Sequence, residues 1–425
     1  MASHLRVSRG LRRTATAVTA GTLLVGLIAG VPVNAGGVSS PPIRISRDAD
    51  FAACGCVSSG SGTTGDPYII GPLTIKPAGG DGISIDGSAL TKSFVLYDIT
   101  SNGNAGNGIT LSNINAGGSP SIVAKVYGGQ TTTNGNGAWG VQVVSSSWVT
   151  LDGVGINKSG PGVANSGFAT SNQNVMGGID LESSSHVTVR GWQFNADGAD
   201  TSPDWIGFDP FSFGGGGIRL FGTTASTIDH NAANNSSDGH FMLFDSSSNT
   251  ISNNTAGYPY TTNFLLADGS AYNTLIGNEG WDGDYNGVLI ADPLAGTTAG
   301  DRVLRAYGPT HDNLVTDNWI HSNGPTGGEI KAGIVPSFLG GIVVLNGAFN
   351  NTISNNSTYE STGTDLGWAQ AVPTSGSAIG VATYTPMIMC NVSTYDGPNA
   401  TAPALNGNVW TGNTYKAIAS CLPPQ

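Results

Sequence analysis

Asn249-Thr250-Ile251-Ser252-Asn253-Asn254 is the phrase on which the fold turns, because its pattern of Asn, four residues and Asn returns along the chain. It reads NTLIGN at Asn273–Asn278, NLVTDN at Asn313–Asn318, NTISNN at Asn351–Asn356 and NVWTGN at Asn408–Asn413. Successive copies begin 24, 40, 38 and 57 residues apart. A short unit returning at variable spacing marks a solenoid whose coils stack and whose insertions bulge from the sides. Asn at the same bend of every coil can form an internal hydrogen-bonded ladder that satisfies backbone groups exposed by the bend. That ladder also accounts for the many Asn-x-Ser/Thr triplets, which otherwise read as glycosylation acceptors.

Working outward, a second phrase recurs as Gly-apolar-x-apolar. It appears as Gly82–Ile85, Gly108–Leu111, Gly140–Val143, Gly178–Leu181 and Gly217–Leu220, then as His240–Leu243, Asn263–Leu266, Gly287–Ile290 and Gly341–Val344. A further short strand follows each, as in Trp148–Leu151, His186–Val189, Thr250–Asn253 and Thr274–Gly277. Alternation directs Ile179 and Leu181 inward and Asp180 outward, and likewise in each copy. The 64 glycines of 425 residues leave little room for long helices. The expectation is an all-β, single-stranded parallel β-helix of about nine to eleven coils.

The stretch Gly60-Ser61-Gly62-Thr63-Thr64-Gly65-Asp66-Pro67-Tyr68-Ile69-Ile70 resembles the opening cap of right-handed β-helix repeat proteins of the NosD-like group, and the likeness extends over about residues 57–415. The resemblance implies a right-handed coil. It does not transfer an activity, because that wider group includes a copper-site maturation factor, polysaccharide lyases, hydrolases, epimerases and surface proteins.

The N-terminus reads differently. Arg6, Arg9, Arg12 and Arg13 precede an apolar stretch from Ala15 to Gly30, and Val33-Asn34-Ala35 offers small residues for cleavage. The stretch is about 16 residues, short of the ~20 that span a bilayer, so residues 1–35 read as a cleaved export signal. The expected organisation is therefore 1–35 signal peptide, 36–56 N-terminal segment and 57–425 β-helix domain with a C-terminal cap. No later segment is apolar enough to span a membrane, so the expected product is secreted. Net charge is −12. Four of the 16 Lys and Arg and none of the 28 Asp and Glu lie in residues 1–35, so cleavage would leave −16. Such a body is a poor nucleic-acid partner, since that affinity rests on clustered cations. Cys390 and Cys421 are expected to pair and staple the last coil; Cys54 and Cys56 either close a local ring or cross-link elsewhere.

Chemistry is sought on the outward row Ser84, Thr110, Gln142, Asp180, Arg219, Met242, Leu265, Leu289 and Val343. Asp180, Arg219 and His240 are the expected catalytic group, with Asp or His moving a proton and Arg stabilising developing negative charge. The nearby insertion carries Trp205, Phe208, Phe211 and Phe213, expected to stack on sugar rings. The competing reading is an ordinary ion pair on a solenoid wall. The apolar half of the row requires a cover, either the segment Gly333–Leu339 acting as a lid or a second chain. No metal site is expected: Met387, Met389 and Cys390 read as a strand. Asp197 with Asp200 and Asp282 with Asp284 read as turns, with calcium the weaker alternative. No cofactor is expected. The functional expectation is a secreted protein that binds, and as a lyase or glycoside hydrolase cleaves, extracellular polysaccharide or cell-surface glycan. The alternative is a non-catalytic surface or adhesion module.

Overall fold

The two asparagines of each repeat stand at two corners of a coil. In one coil, Phe241–Phe244 lies in sheet 1, Thr250–Ser252 in sheet 2 and Thr255–Gly257 in sheet 3; the next coil repeats this with Thr262–Ala267, Thr274–Ile276 and Glu279–Trp281. Corners demand left-handed backbone, and short polar residues tolerate it best. Asp245, Ser248 and Asn253 accordingly have φ of 47°, 59° and 53°. The computed structural model describes residues 38–154, 169–195, 216–236, 239–259, 261–284, 286–291, 298–299, 302–303, 309–324, 340–345, 348–359, 361, 364–370, 388–389 and 407–415. The expected signal peptide (1–35), the aromatics Trp205, Phe208, Phe211 and Phe213, the segment 333–339, and Cys390 with Cys421 lie outside the described residues, as do Asp197 and Asp200. Among the described residues no helix is long and apolar enough to cross a membrane.

Successive coils pair in parallel and in register in all three sheets, with antiparallel strands only at the ends, Val57–Ser59 on Tyr68–Ile70 and Ile388–Met389 on Ala369–Gln370 among the described residues. In sheet 1 the inward partners run Ile43, Ile83, Ile109, Val141, Ile179, Ile218, Phe241, Phe264, Val288, Ile342 and Leu366. Every one is buried. Each such side chain stabilises by about 1.5–3 kcal/mol when removed from water, so the interior column holds the solenoid together. Phe241 and Phe264 stack with centroids 5.1 Å apart.

The asparagine ladder is continuous. Asn254 Nδ2 donates to Asn278 Oδ1 at 3.0 Å, Asn278 to Asn318 at 3.0 Å, Asn318 to Asn356 at 2.9 Å and Asn356 to Asn413 at 3.0 Å. Each Oδ1 also takes the backbone N–H of the preceding asparagine, as Asn278 takes that of Asn254 at 3.0 Å. A second ladder runs through Asn249, Asn273, Asn313, Asn351 and Asn408.

Residues 38–56 of the expected N-terminal segment join the coil stack. Val38–Ser40 pairs in parallel with Leu73–Ile75, and Ile43–Ile45 with Ile83–Ile85. Ile43 and Ile45 have the same in–out alternation as later rungs and are buried, which makes this the first rung. The helix Asp48–Ala53 then seats Phe51 against Tyr68 and Phe94, with centroids at 5.0 and 6.0 Å. Cys54 and Cys56 are joined as a local disulfide directly after it. The Gly60–Ile70 phrase forms a hairpin in which Val57–Ser59 runs antiparallel to Tyr68–Ile70. Gly62 (φ +77°) lies against the Tyr68 ring, where a Cβ would collide.

Candidate functional site

The outward row of sheet 1 forms as its alternation implies: Thr110, Gln142, Asp180, Arg219, Met242, Leu265, Leu289 and Val343 are successive register partners. Its polar half is one hydrogen-bonded chain. Thr110 Oγ1 donates to Asp81 Oδ2 at 2.9 Å, and Asn107 Nδ2 donates to Gln142 Oε1 at 3.0 Å. Gln142 Nε2 donates to Asp180 Oδ2 at 3.0 Å, and Arg219 Nε donates to Asp180 Oδ1 at 2.8 Å. The Arg219 guanidinium carbon lies 4.7 Å above the Trp139 ring, a cation–π contact that adds to the ion pair. Trp139 lies across Gly177 of the next rung, where a Cβ would collide with its ring.

Asp180 and Arg219 are thus brought together as expected. Both Asp180 oxygens are engaged and its side chain is 0% exposed, against 12% for Arg219. His240 is not part of the group. It occupies the corner position that Gly178 and Gly217 fill in the two preceding rungs, and its ring is tied toward sheet 3. Its Nε2 lies 2.8 Å from the Gly257 carbonyl and its Nδ1 lies 2.9 Å from Ser236 Oγ. A carbonyl only accepts, so Nε2 carries the proton and Nδ1 accepts from the serine. Complete burial pushes its pKa down to about 4, opposed in part by the bond to Gly257. The imidazole is a neutral cross-brace between coils.

The apolar half of the row, Met242, Leu265, Leu289 and Val343, is buried within the single chain and requires no second copy to cover it. Asp282 is a corner residue with φ of 47°. Ile388–Met389 forms a short strand antiparallel to Ala369–Gln370. Among the described residues no group of three His, Cys, Asp or Glu is placed to hold a metal ion.

The outer face of sheet 3 carries a second cluster that the row analysis of sheet 1 misses. Gly257, Trp281, His321 and Tyr359 are register partners in one row, and Thr255, Glu279, Trp319 and Ser357 in the row beside it. Trp281 lies across Gly257, where a Cβ would collide with the indole. The Trp281 and His321 rings are parallel within 7° at 6.3 Å, and Trp319 tilts onto His321 at 4.5 Å. Tyr258 meets Trp281 edge-on at 6.3 Å. Glu279 Oε1 lies 3.5 Å from His321 Nε2. Tyr258, Trp319 and Tyr359 are 54%, 51% and 37% exposed. Rings set across four successive rungs, beside a carboxylate and an imidazole, form a flat amphipathic platform; such exposed clusters mark binding surfaces. The signal was present in the repeat itself, in the first and third residues after each ladder asparagine: Glu279 and Trp281, Trp319 and His321, Ser357 and Tyr359.

Residues 211–379 match a family model described as right handed beta helix region. No curated protein matches the chain. Among solved structures, the chain is similar to DFA-IIIase from Arthrobacter chlorophenolicus A6 in complex with GF2, at 11% identity and TM-score 0.43, covering 91% of this chain and 86% of that one. It is also similar to alginate lyase from Paenibacillus sp. str. FPU-7, at 10% identity and TM-score 0.37, covering 74% and 94%. A third is the mannuronan C-5 epimerase AlgE4 A-module of Azotobacter vinelandii, at 15% identity and TM-score 0.30, covering 76% and 69%. With parallel register running from Val38 to Val409 and the family match over residues 211–379, the chain is a right-handed parallel β-helix protein.

Proposed function

We propose that this is an exported β-helix protein of the NosD-like group that binds polysaccharide, and that the platform of sheet 3 is its principal binding face. The observation that carries the reading is the alignment of Trp281, His321 and Tyr359 with Trp319 and Glu279 across adjacent rungs. Aromatic faces spaced by one strand separation, ~4.8 Å, suit the apolar faces of successive sugar rings, while Glu279 and His321 serve ring hydroxyls. A flat open face suits a polymer better than a small molecule, which favours concave sites. The basic, apolar N-terminus and the Cys54–Cys56 disulfide support export to an oxidising compartment.

The test is binding of the purified protein to a panel of neutral and acidic polysaccharides, with and without calcium, scored by retardation in polysaccharide-containing gels. Trp319→Ala is expected to weaken binding at least about tenfold, about 1.4 kcal/mol, without moving the melting temperature. Absence of binding across the panel, or binding indifferent to Trp319, would sink the platform.

A second reading assigns cleavage of the bound polysaccharide, as a lyase or hydrolase, to Asp180 and Arg219. Its support is the 2.8 Å carboxylate–guanidinium pair beside Trp139 on the outward wall of sheet 1. New reducing ends or unsaturated products, abolished in Asp180→Asn and retained in Trp319→Ala at high substrate, would establish it. Binding with no turnover leaves a recognition module.

A further inference from the structure

Sheet 2 carries another candidate, on a different face from both clusters above. Its outward row is a run of threonines in register: Thr150, Thr188, Thr227, Thr250 and Thr274. Among the described residues, no protein group hydrogen-bonds the hydroxyls of Thr150, Thr188 or Thr227. They stand one strand separation apart, ~4.8 Å, each able to donate and accept.

Beside this ladder runs the corner row Trp148, His186, Ala225 and Ser248, all with left-handed backbone (φ 60°, 52°, 50° and 59°). The row continues to Tyr272 (φ 58°), so a bulky residue at this corner is not unique to Trp148. Trp148 is 41% exposed, and its ring is fixed. Its indole N–H donates to the Gly118 carbonyl at 2.8 Å, and it stacks on His186 at 4.2 Å and 10°. The next two corner residues, Ala225 and Ser248, are small, so the stacked rings end in a step above an open trough. A groove of about 260 Å³ lies there, lined by Trp148, His186, Thr150, Thr188, Ala225 and Thr227. That is below the usual volume of a small-molecule site, and its axis follows the threonine ladder, so it suits a length of an extended chain.

Charge selects the occupant. The lining contains no carboxylate or ammonium, and the adjacent row Asp152, Arg190 and Asp229 holds two carboxylates against one guanidinium, with Arg190 on Asp152 at 2.6 Å, so its excess charge is negative and repels an anion. Lys125 stands beside Thr150 at one end of the ladder. On a chain of net charge −12, one ammonium is too little to hold a polyanion. We propose that this groove is a second glycan site that takes an uncharged polysaccharide strand along the coil axis. A sugar ring packs against Trp148 and His186, and ring hydroxyls bond to Thr150, Thr188 and Thr227.

The experiment uses galactomannan, xyloglucan and mixed-linkage β-glucan as neutral probes and alginate and pectin as anionic ones, on the parent protein and on the Trp319→Ala variant. Tryptophan oxidation mapped by mass spectrometry reports protection of Trp148, and gel retardation reports affinity. The expected result is protection of Trp148 by at least one neutral probe in both proteins, with neither anionic probe protecting it. Trp148→Ala should then lower the affinity of Trp319→Ala for that probe at least about tenfold. Thr188→Val, which keeps shape and removes one hydroxyl, should lower it severalfold. No protection of Trp148 by any neutral probe, protection by the anionic probes, or unchanged affinity in Trp148→Ala would each overturn the proposal. None of these outcomes depends on whether the sheet 3 platform binds.

Discussion

Asp180 Oδ1 and Arg219 Nε lie 2.8 Å apart on adjacent rungs, and the carboxylate has no exposed surface. Desolvation has therefore already been incurred, and the pair behaves as a buried one. Removing only the cation, in Arg219→Met, leaves a buried carboxylate with Gln142 as its remaining described donor. The expected loss is about 3–5 kcal/mol in urea denaturation. Replacing both, in Asp180→Leu with Arg219→Met, should recover most of it. A single variant that unfolds within about 1 kcal/mol of the parent would mean that the pair is hydrated, as an accessible catalytic pair is.

The asparagine ladder makes a second prediction. Asn278 accepts from both the backbone and side chain of Asn254, and donates to Asn318 and to the Ile251 carbonyl at 2.8 Å. Asn278→Ala strands a buried N–H and a buried carbonyl at once, each costing about 1–3 kcal/mol. Amide exchange should rise at Asn254 and its neighbours before it rises at distant coils, since each coil leans only on the next. Uniform exchange throughout would show that the ladder is not a local brace.

A third concerns the platform. A Cβ on Gly257 would collide with the Trp281 indole, so Gly257→Ala must displace that ring. Near-UV circular dichroism should change, and polysaccharide affinity should fall severalfold with Trp319 intact. Unaltered affinity would exclude Trp281 from the binding face.

The fold was legible in sequence because its determinants are periodic. The ladder asparagines and the Ile179/Leu181 alternation state where each corner and inward face must fall, and no insertion disturbs that register. The Asp180–Arg219 contact was legible for the same reason, as neighbours in one row. His240 was not. A corner breaks strict alternation, so a residue adjacent to the inward Phe241 turns its own ring inward as well. The sheet 3 platform was missed because alternation was followed only through the strands of sheets 1 and 2, although Trp281, His321 and Tyr359 occupy equivalent positions in three repeats. That the apolar row from Met242 to Val343 needs a cover was legible from its four outward apolar residues, and all four are buried.

The last prediction is a pH dependence with a definite sign. In the folded protein the His240 pKa is pushed down to about 4 from an ordinary value of 6.5, because burial disfavours the imidazolium. Between those values the unfolded chain binds a proton that the folded one refuses, so stability increases with pH across that interval. The contribution is full above pH 6.5, declines as pH falls from 6.5, and is gone once pH passes below about 4. In His240→Gln the amide can still donate to Gly257 and accept from Ser236, but it does not titrate. Urea denaturation of parent and variant from pH 3.5 to 7.5 cancels the other ionisable groups. The stability difference, parent minus variant, should rise between about pH 4 and 6.5 and be flat on either side. Parallel curves through that window would show that the imidazole is solvated, and would reopen His240 as a proton carrier.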